Sequence, residues 1–367
     1  MSAAHQEVLL AALLRPASME KLSLAQWDLL IRQGRRADLL ARIGENARLH
    51  GLWDAVPAAP RRHLESAMKL AARQHVELLH EVRAIAQALE PLGEPAVLLK
   101  GAAYTLANLS AARGRMVSDV DILVPRHRLS EVESALMMAG WVQTNRNAYD
   151  QQYYRKWMHE LPPLRHVKRG SVLDVHHAIL PPTARLKPDS ALLLVDTVAA
   201  GNDGKIRVLG KPDMVLHSAA HLFHEGELEM GLRGLVDLDA LLREFGSDVT
   251  FWPQLGSRAQ LLELEGPLHL ALRYTRLLMQ TPAPEGLEAE LLLAARRRSA
   301  VMRPALQDAL FLRALRPDHA SVSDRWTPLA RSVLYLRAHW LRMPPALLTW
   351  HLVRKLFKSL QPGRTTA

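Results

Sequence analysis

Three acids set in two short apolar runs carry the clearest chemical signal in this chain. Ser118-Asp119-Val120-Asp121-Ile122-Leu123-Val124 alternates carboxylates with apolar side chains, and Val172-Leu173-Asp174-Val175-His176 repeats the pattern. Successive side chains of a strand point to opposite faces. Asp119 and Asp121 therefore project together, Val120, Ile122 and Val124 turn to a core, and Asp174 shares a face with His176. Two like charges one strand-step apart raise each other's proton affinity unless a cation or strong donors neutralise them. Hard divalent cations such as Mg2+ prefer carboxylate oxygen, so the pattern points to a metal site. The plain alternative is a solvated sheet edge.

Upstream, Val97-Leu98-Leu99-Lys100-Gly101-Ala102-Ala103 is an apolar run that ends in lysine and glycine before residues able to open a helix. A strand-to-helix turn of this kind exposes backbone N–H groups and the positive end of the helix dipole, which together suit a phosphate. His176 has two readings: contact with a phosphate or a metal-bound water, or a partner that orients the neighbouring carboxylate. Arg115 likewise reads either as a triphosphate contact or as one half of a surface ion pair.

A lysine-glycine turn, an acidic pair on a strand and a third acid on a later strand follow the order of the nucleotidyltransferase superfamily, whose best-known member is polymerase β. The wording Leu98-Leu99-Lys100-Gly101-Ala102-Ala103, followed by Arg115-Met116-Val117-Ser118-Asp119-Val120-Asp121-Ile122-Leu123-Val124, resembles one bacterial branch of uncharacterised nucleotidyltransferase-like proteins. The motif match covers roughly residues 95–180. The resemblance implies that Asp119, Asp121 and Asp174 are catalytic and hold two Mg2+ ions. It also implies that Lys100, Gly101, Ala102, Arg115, Ser118 and His176 serve the nucleotide, with an NTP as donor. The superfamily usually has Gly-Ser or Gly-Gly at the turn. Here Ala102 has no hydroxyl, which shifts the expected grip on the triphosphate to main-chain N–H groups and Lys100.

The implied fold is α+β, a small mixed-sheet nucleotidyltransferase core flanked by helical regions. The expected division is 1–92 helical, 93–210 catalytic core and 211–367 helical with a basic tail. Strong periodicity predicts a helix over 61–89, where Leu64, Met68, Ala71, His75, Leu78, Val82, Ile85 and Leu89 recur in steps of four and three. His75 in that seam reads as a satisfied interhelical residue. The core reads as strand 96–100, helix 102–112, strand 118–124 and helix 128–139, then strands to about 180. Ser130-x-x-Glu133 is a candidate capping box, and Lys168-Arg169-Gly170 a hairpin that delivers Asp174. Residues 181–210 read as irregular.

Helical character returns after Pro212. His217 and His221 stand one turn apart with His224 close behind, but Ser218 occupies the position where zinc proteases carry glutamate, so packing or a nucleotide-facing role is preferred to zinc. Arg233 and Asp237 read as a surface i,i+4 pair worth about 0.3–0.5 kcal/mol, with a cleft-facing role as the alternative.

The net charge of +10 sits at one end. From Arg296 onward 14 Lys or Arg face three Asp, a net +11, which leaves −1 for the preceding chain. Such a tail attracts polyanions without choosing among them. Regularly spaced stacking aromatics are absent, so sequence-specific nucleic-acid binding is not expected. The basic, apolar stretch 332–360, with Trp340, Trp350 and Phe357, reads either as a helix packed on the domain or as a peripheral contact with anionic membrane. No cysteine is present, so disulfides and thiolate metal sites are excluded. No apolar run reaches the roughly 20 residues of a bilayer span, and the first one, Val8 to Leu14, lacks a basic leader, so the cytoplasm is the expected location.

The expected activity is Mg2+-dependent transfer of a nucleoside monophosphate from an NTP to a hydroxyl of a small molecule, sugar or protein. The competing reading is a catalytically quiet scaffold of the same fold that engages a membrane surface or an envelope-assembly partner through its basic end.

Overall fold

The computed structural model describes residues 8–143, 154–155, 157–201, 204–226, 228–298 and 302–344. The chain opens with helices α1 (Val8–Leu14), α2 (Leu24–Arg36), α3 (Leu40–Leu49) and α4 (Ala58–Leu89). Ser23 caps α2 with a complete capping box: its hydroxyl accepts from the Gln26 N–H while the Gln26 side chain accepts from the Ser23 N–H. Gly44 lets α3 lie close on α4, since a Cβ there would stand 2.4 Å from Met68 Sδ.

The 32-residue α4 buries Leu64, Met68, Ala71, Leu78, Val82, Ile85 and Leu89, as the periodicity predicts. At about 1.5 Å per residue it runs roughly 48 Å. His75 sits in its seam and donates from Nε2 to the Arg115 carbonyl at 2.9 Å, and Gln74 accepts from the Val117 N–H at 3.2 Å. Further along, Glu81 receives Arg169 at 2.5 Å and the Ser171 hydroxyl at 2.8 Å. One helix therefore holds both the approach to the acidic pair and the hairpin that carries Asp174.

The sheet has seven strands among the described residues. They are β1 (Ala96–Leu98), β2 (Asp119–Leu123), β3 (Trp141–Gln143), β4 (Leu164–His166), β5 (Val172–His176), β6 (Val198–Ala199) and β7 (Ile206–Val208), in spatial order β3-β4-β5-β2-β1-β7-β6. β2 runs antiparallel to β1 and parallel to β5, and β7 runs parallel to β1, which makes the sheet mixed. The predicted hairpin forms between β4 and β5, with Gly170 at φ 73° supplying the left-handed turn. The α+β class and its helical flanks are as expected.

Several local expectations differ. Helix α5 spans Lys100–Leu106 and stops well short of 112, because Asn108 takes a left-handed conformation at φ 52° and the Leu109 N–H folds back to the Tyr104 carbonyl. Helix α6 (Leu129–Met138) starts ahead of Ser130, so the Ser130–Glu133 box does not form, and Glu133 instead binds Arg155 and Gln143. Residues 181–210 are not irregular throughout. They contain α7 (Ser190–Val195), β6 and β7, the last of which is too short and too punctuated to register as a period-two pattern.

Helices α8 (Lys211–Ala220), α9 (Gly231–Phe245), α10 (Phe251–Leu261), α11 (Glu265–Met279), α12 (Leu287–Arg298), α13 (Pro304–Ala314) and α14 (Thr327–Arg342) follow, with a π-helical turn at His221–Glu225. One apolar core runs from Val8 to Leu334. In the basic C-terminal stretch, α14 buries Leu334 and Ala338, and Arg337 donates to the Phe223 carbonyl at 2.8 Å. Trp350, Phe357 and the rest of that stretch beyond residue 344 lie outside the described residues. No helix among the described residues is long and apolar enough to cross a membrane.

Candidate active site

Parallel pairing of β2 with β5 sets Asp119 opposite Val172, Asp121 opposite Asp174 and Leu123 opposite His176. With side chains alternating, Asp119, Asp121, Asp174 and His176 fall on one face. Val120, Ile122, Leu173 and Val175 occupy the other and are almost wholly buried. The acids differ in environment: Asp119 is exposed, Asp174 half-buried and Asp121 buried.

Asp121 is gripped from two sides. The Leu99 N–H donates to its carbonyl at 3.0 Å and so stitches the Lys100 turn to β2. Lys100, at a left-handed φ of 47°, extends Nζ to Asp121 Oδ1 at 3.1 Å, and His176 Nε2 lies 3.0 Å from the same oxygen. Burial alone would raise the Asp121 carboxyl, but Lys100 and His176 outweigh it and hold the group well below the usual carboxylate range. Asp174 goes the other way. Burial first, then the charges of Asp121, Glu160 and Asp119, push it up to about 8. Its buried Oδ1 accepts no hydrogen bond from any described residue.

Gly101 has a packing reason. A Cβ there would meet an Arg115 guanidinium nitrogen at 2.0 Å. Arg115 crosses it to reach Asp237 on α9, with Nε to Oδ2 at 2.8 Å, and lies over the Tyr104 ring at 5.7 Å. Desolvation would lower the Arg115 pKa, yet Asp237 reverses this and keeps it above its ordinary value. Arg115 is thus one half of a buried pair, not a surface one. Arg233 and Asp237 do not pair with each other either. Arg233 binds Asp38 at 2.5 Å and Asp237 binds Arg115, because α9 turns both side chains inward against other elements.

A cavity of about 1110 Å³ opens in front of the acidic pair. Lys100, Gly101, Arg115, Ser118, Asp119 and Asp121 line one side. Ser218 and His221 of the α8 end, Arg233 of α9, and Arg331, Tyr335, His339 and Arg342 of α14 line the other. Ala102 is buried and does not line the cavity, nor do Asp174 and His176, which stand on the neighbouring strand. The Ser118 hydroxyl donates to Asp119 Oδ1 at 3.3 Å. Tyr104 and Ser218 share a hydrogen bond of 2.5 Å across the cavity floor. His217 is buried beside this floor; desolvation, then the nearby Lys100, His221 and His176, hold its pKa well below the usual value, so it is neutral at pH 7.

Tyr104 and the α14 residues are cavity-lining groups that the sequence reading did not single out. Tyr104 lies one helical turn past Lys100, so the spacing could have flagged it. The α14 wall has no local signal, because only the tertiary fold brings residues some 230 positions apart together.

A family described as "Uncharacterised nucleotidyltransferase" matches residues 23–280. The chain belongs to this family. Membership gives it a nucleotidyltransferase role in general, and the matched span contains the lysine-glycine turn and all three acids. The cavity wall contributed by α14 lies beyond the matched span. No curated protein and no solved structure matches the chain.

Proposed function

We propose that the chain transfers a nucleoside monophosphate from an NTP to a hydroxyl of a small molecule, sugar or protein, with Mg2+ as cofactor and pyrophosphate leaving. The observation that carries this reading is the register of β2 on β5, which gathers Asp119, Asp121 and Asp174 on one face at the edge of a large cavity lined by charged groups of both signs. The donor set fits a hard cation: it is all carboxylate oxygen, and Asp174 Oδ1 is buried with no hydrogen bond from any described residue. Asp119, Asp121 and Asp174 are the residues to hold two Mg2+ ions. When bound, such ions neutralise phosphate charge and lower the proton affinity of the attacking hydroxyl.

The remaining work falls to the chain itself. Lys100 and His176 fix the Asp121 carboxylate in one orientation, so little reorganisation is left for the reaction. Lys100, Arg233, Arg331 and Arg342 are cations of a lining that also carries Asp119, Asp121, Glu229, Asp237 and Asp318, so a triphosphate would meet them only with its charge lowered by Mg2+. Arg115, committed to Asp237, positions the turn and leaves the phosphates to others. Tyr335 and His339, with ring centroids 4.1 Å apart, form an aromatic wall suited to a base. In the transfer, the acceptor oxygen bonds to the α-phosphorus while the bond from that phosphorus to the pyrophosphate oxygen breaks. The acceptor's proton is released to solvent, and Asp174, as a ligand, would hold the ion that lowers that hydroxyl's proton affinity.

Isothermal titration with each NTP and Mg2+, followed by mass spectrometry of candidate acceptors, tests the reading. One NTP should bind only with Mg2+ and an acceptor should gain the mass of one nucleoside monophosphate. Absence of Mg2+-dependent binding for all four NTPs would overturn it.

A further inference from the structure

A second group of metal-binding side chains lies beside the acidic pair and differs from it in chemistry. The segment ahead of β4 is clamped to the end of β5 through its backbone. Glu160 forms an antiparallel bridge with His176, the Leu161 N–H donates to the Val175 carbonyl at 2.9 Å, and the His177 N–H donates to the His159 carbonyl at 2.8 Å. This clamp brings His159, Glu160 and His176 together, each offering one ligand atom, with all three atoms within 4.8 Å of one another. Both histidines are buried, while the Glu160 side chain is 18% exposed, at the rim. The rings of His159 and His176 lie 5.2 Å apart.

The geometry points to a site for one zinc-like transition-metal dication held by His159, Glu160 and His176. Two imidazoles and one carboxylate select borderline metals such as Zn2+ over Mg2+, which prefers oxygen throughout. They also form a known three-ligand zinc set that keeps a fourth position open. Zinc bonds of about 2.1 Å in a tetrahedron put neighbouring ligand atoms about 3.4 Å apart. His176 Nε2 and Glu160 Oε2 stand 3.5 Å apart already, and the widest pair needs little more than an ångström of side-chain adjustment.

The surroundings favour a cation as well. Glu160 adds to the negative field of Asp121 and Asp119 that bears on Asp174. A His176 Nε2 bound to the dication would have no proton to share with Asp121 Oδ1, 3.0 Å away, so occupancy of this site would replace that contact and be felt at the acidic pair through a single side chain. The site does not depend on nucleotidyl transfer: it rests on three side chains of which only His176 touches the proposed Mg2+ ligands.

The test uses the full chain, stripped with a chelator and titrated with Zn2+ against a chromophoric competitor, with Co2+ absorption as a second readout. Wild type should take up one equivalent with a Kd below about 1 µM and, with Co2+, give visible bands of a four- or five-coordinate ion. His159→Ala and Glu160→Gln should each weaken Zn2+ by at least about tenfold, whereas Asp119→Asn should leave it within about twofold. Circular dichroism melts establish which variants fold. If His159→Ala does not, the near-isosteric Glu160→Gln at the rim decides the matter. No uptake by wild type at 10 µM Zn2+ overturns the site. So does Zn2+ affinity that is the same in wild type and in the folded ligand variants, or that depends on Asp119 instead.

Discussion

Arg115 passes so close over Gly101 that a methyl group in place of the glycine hydrogen would stand 2.0 Å from its guanidinium. The arginine runs on to Asp237 at 2.8 Å, where both side chains are nearly buried. Gly101→Ala should therefore displace Arg115 and leave the buried Asp237 with Arg42, whose Nη2 stands 4.0 Å from Oδ1, as its remaining cation among the described residues. Leaving a buried charge wholly unpaired costs about 3–5 kcal/mol, and the retained Arg42 should keep the loss below that. Urea denaturation is the measurement, and a Gly101→Ala protein within 0.5 kcal/mol of wild type would show that the arginine has another path.

Asp119 separates catalysis from scaffolding. It is exposed and hydrogen-bonded only by the Ser118 hydroxyl among the contacts described above, so Asp119→Asn removes charge with almost no loss of packing. Mg2+ and NTP binding should weaken together and transfer should fall by at least about a hundredfold, since electrostatic stabilisation supplies much of the rate in such reactions. The metal-free melting temperature should hold or rise slightly. An NTP-induced thermal shift that survives the substitution unchanged would favour the quiet scaffold.

Asp174 predicts a pH dependence of unusual sign. Its carboxyl is pushed up to about 8 in the folded protein, against about 3.9 in an unfolded chain. Between those values the folded state binds the extra proton, so metal-free stability should decline as pH rises from about 4 through 8. Asp121, held low, acts oppositely: its contribution is present above pH 4 and is lost on further acidification. Asp174→Asn should flatten the decline and raise the melting temperature at pH 8 by several degrees in the presence of EDTA. Equal slopes for wild type and variant between pH 5 and 9 would mean that Asp174 ionises normally.

Lys100 tests the grip on Asp121. Lys100→Met keeps most of the side chain's length but removes Nζ from its 3.1 Å contact with Oδ1. The Asp121 carboxyl should move up toward the ordinary range, and NTP affinity should fall about tenfold or more at low salt, with a smaller difference at high salt as screening weakens the charge. Carbon-detected NMR titration of the aspartates follows the first effect and calorimetry the second. An unshifted Asp121 signal would assign its low pKa to His176 and His221 instead.

Much of this site is legible in the sequence because it is built from strands, where period-two alternation ties residue spacing to direction. The acids of β2 and β5 and the Gly170 turn could be read that way. The long seam of α4 was legible for the same reason at a different period. β7 was not, since three residues between Gly204 and Gly210 carry no pattern, and only pairing with β1 makes them a strand. The partners of Arg233 and Asp237 were hidden for another reason. Helical spacing makes these two neighbours, but Asp38 and Arg115 approach from elements distant in sequence, and pairing there, half-buried for Arg233 and nearly buried for Asp237, outweighs a weak i,i+4 contact. The same holds for the α14 wall, whose tyrosine and arginines look like ordinary amphipathic-helix residues until the core seats them opposite the acids.

Helix α4 lines no part of the cavity, yet it sets the phase of what does. His75 fixes the backbone ahead of Asp119, and Glu81 fixes the hairpin ahead of Asp174, six residues further along one continuous helix. Each helical residue adds about 100° of rotation and 1.5 Å of advance. Inserting or deleting a single residue between these two anchors would swing one of them about a quarter-turn away from its strand. The convergence of two acidic strands is thus written into a count of residues in a helix that touches no reacting atom. That count, more than the identity of the exposed side chains between the anchors, is what the helix has to preserve.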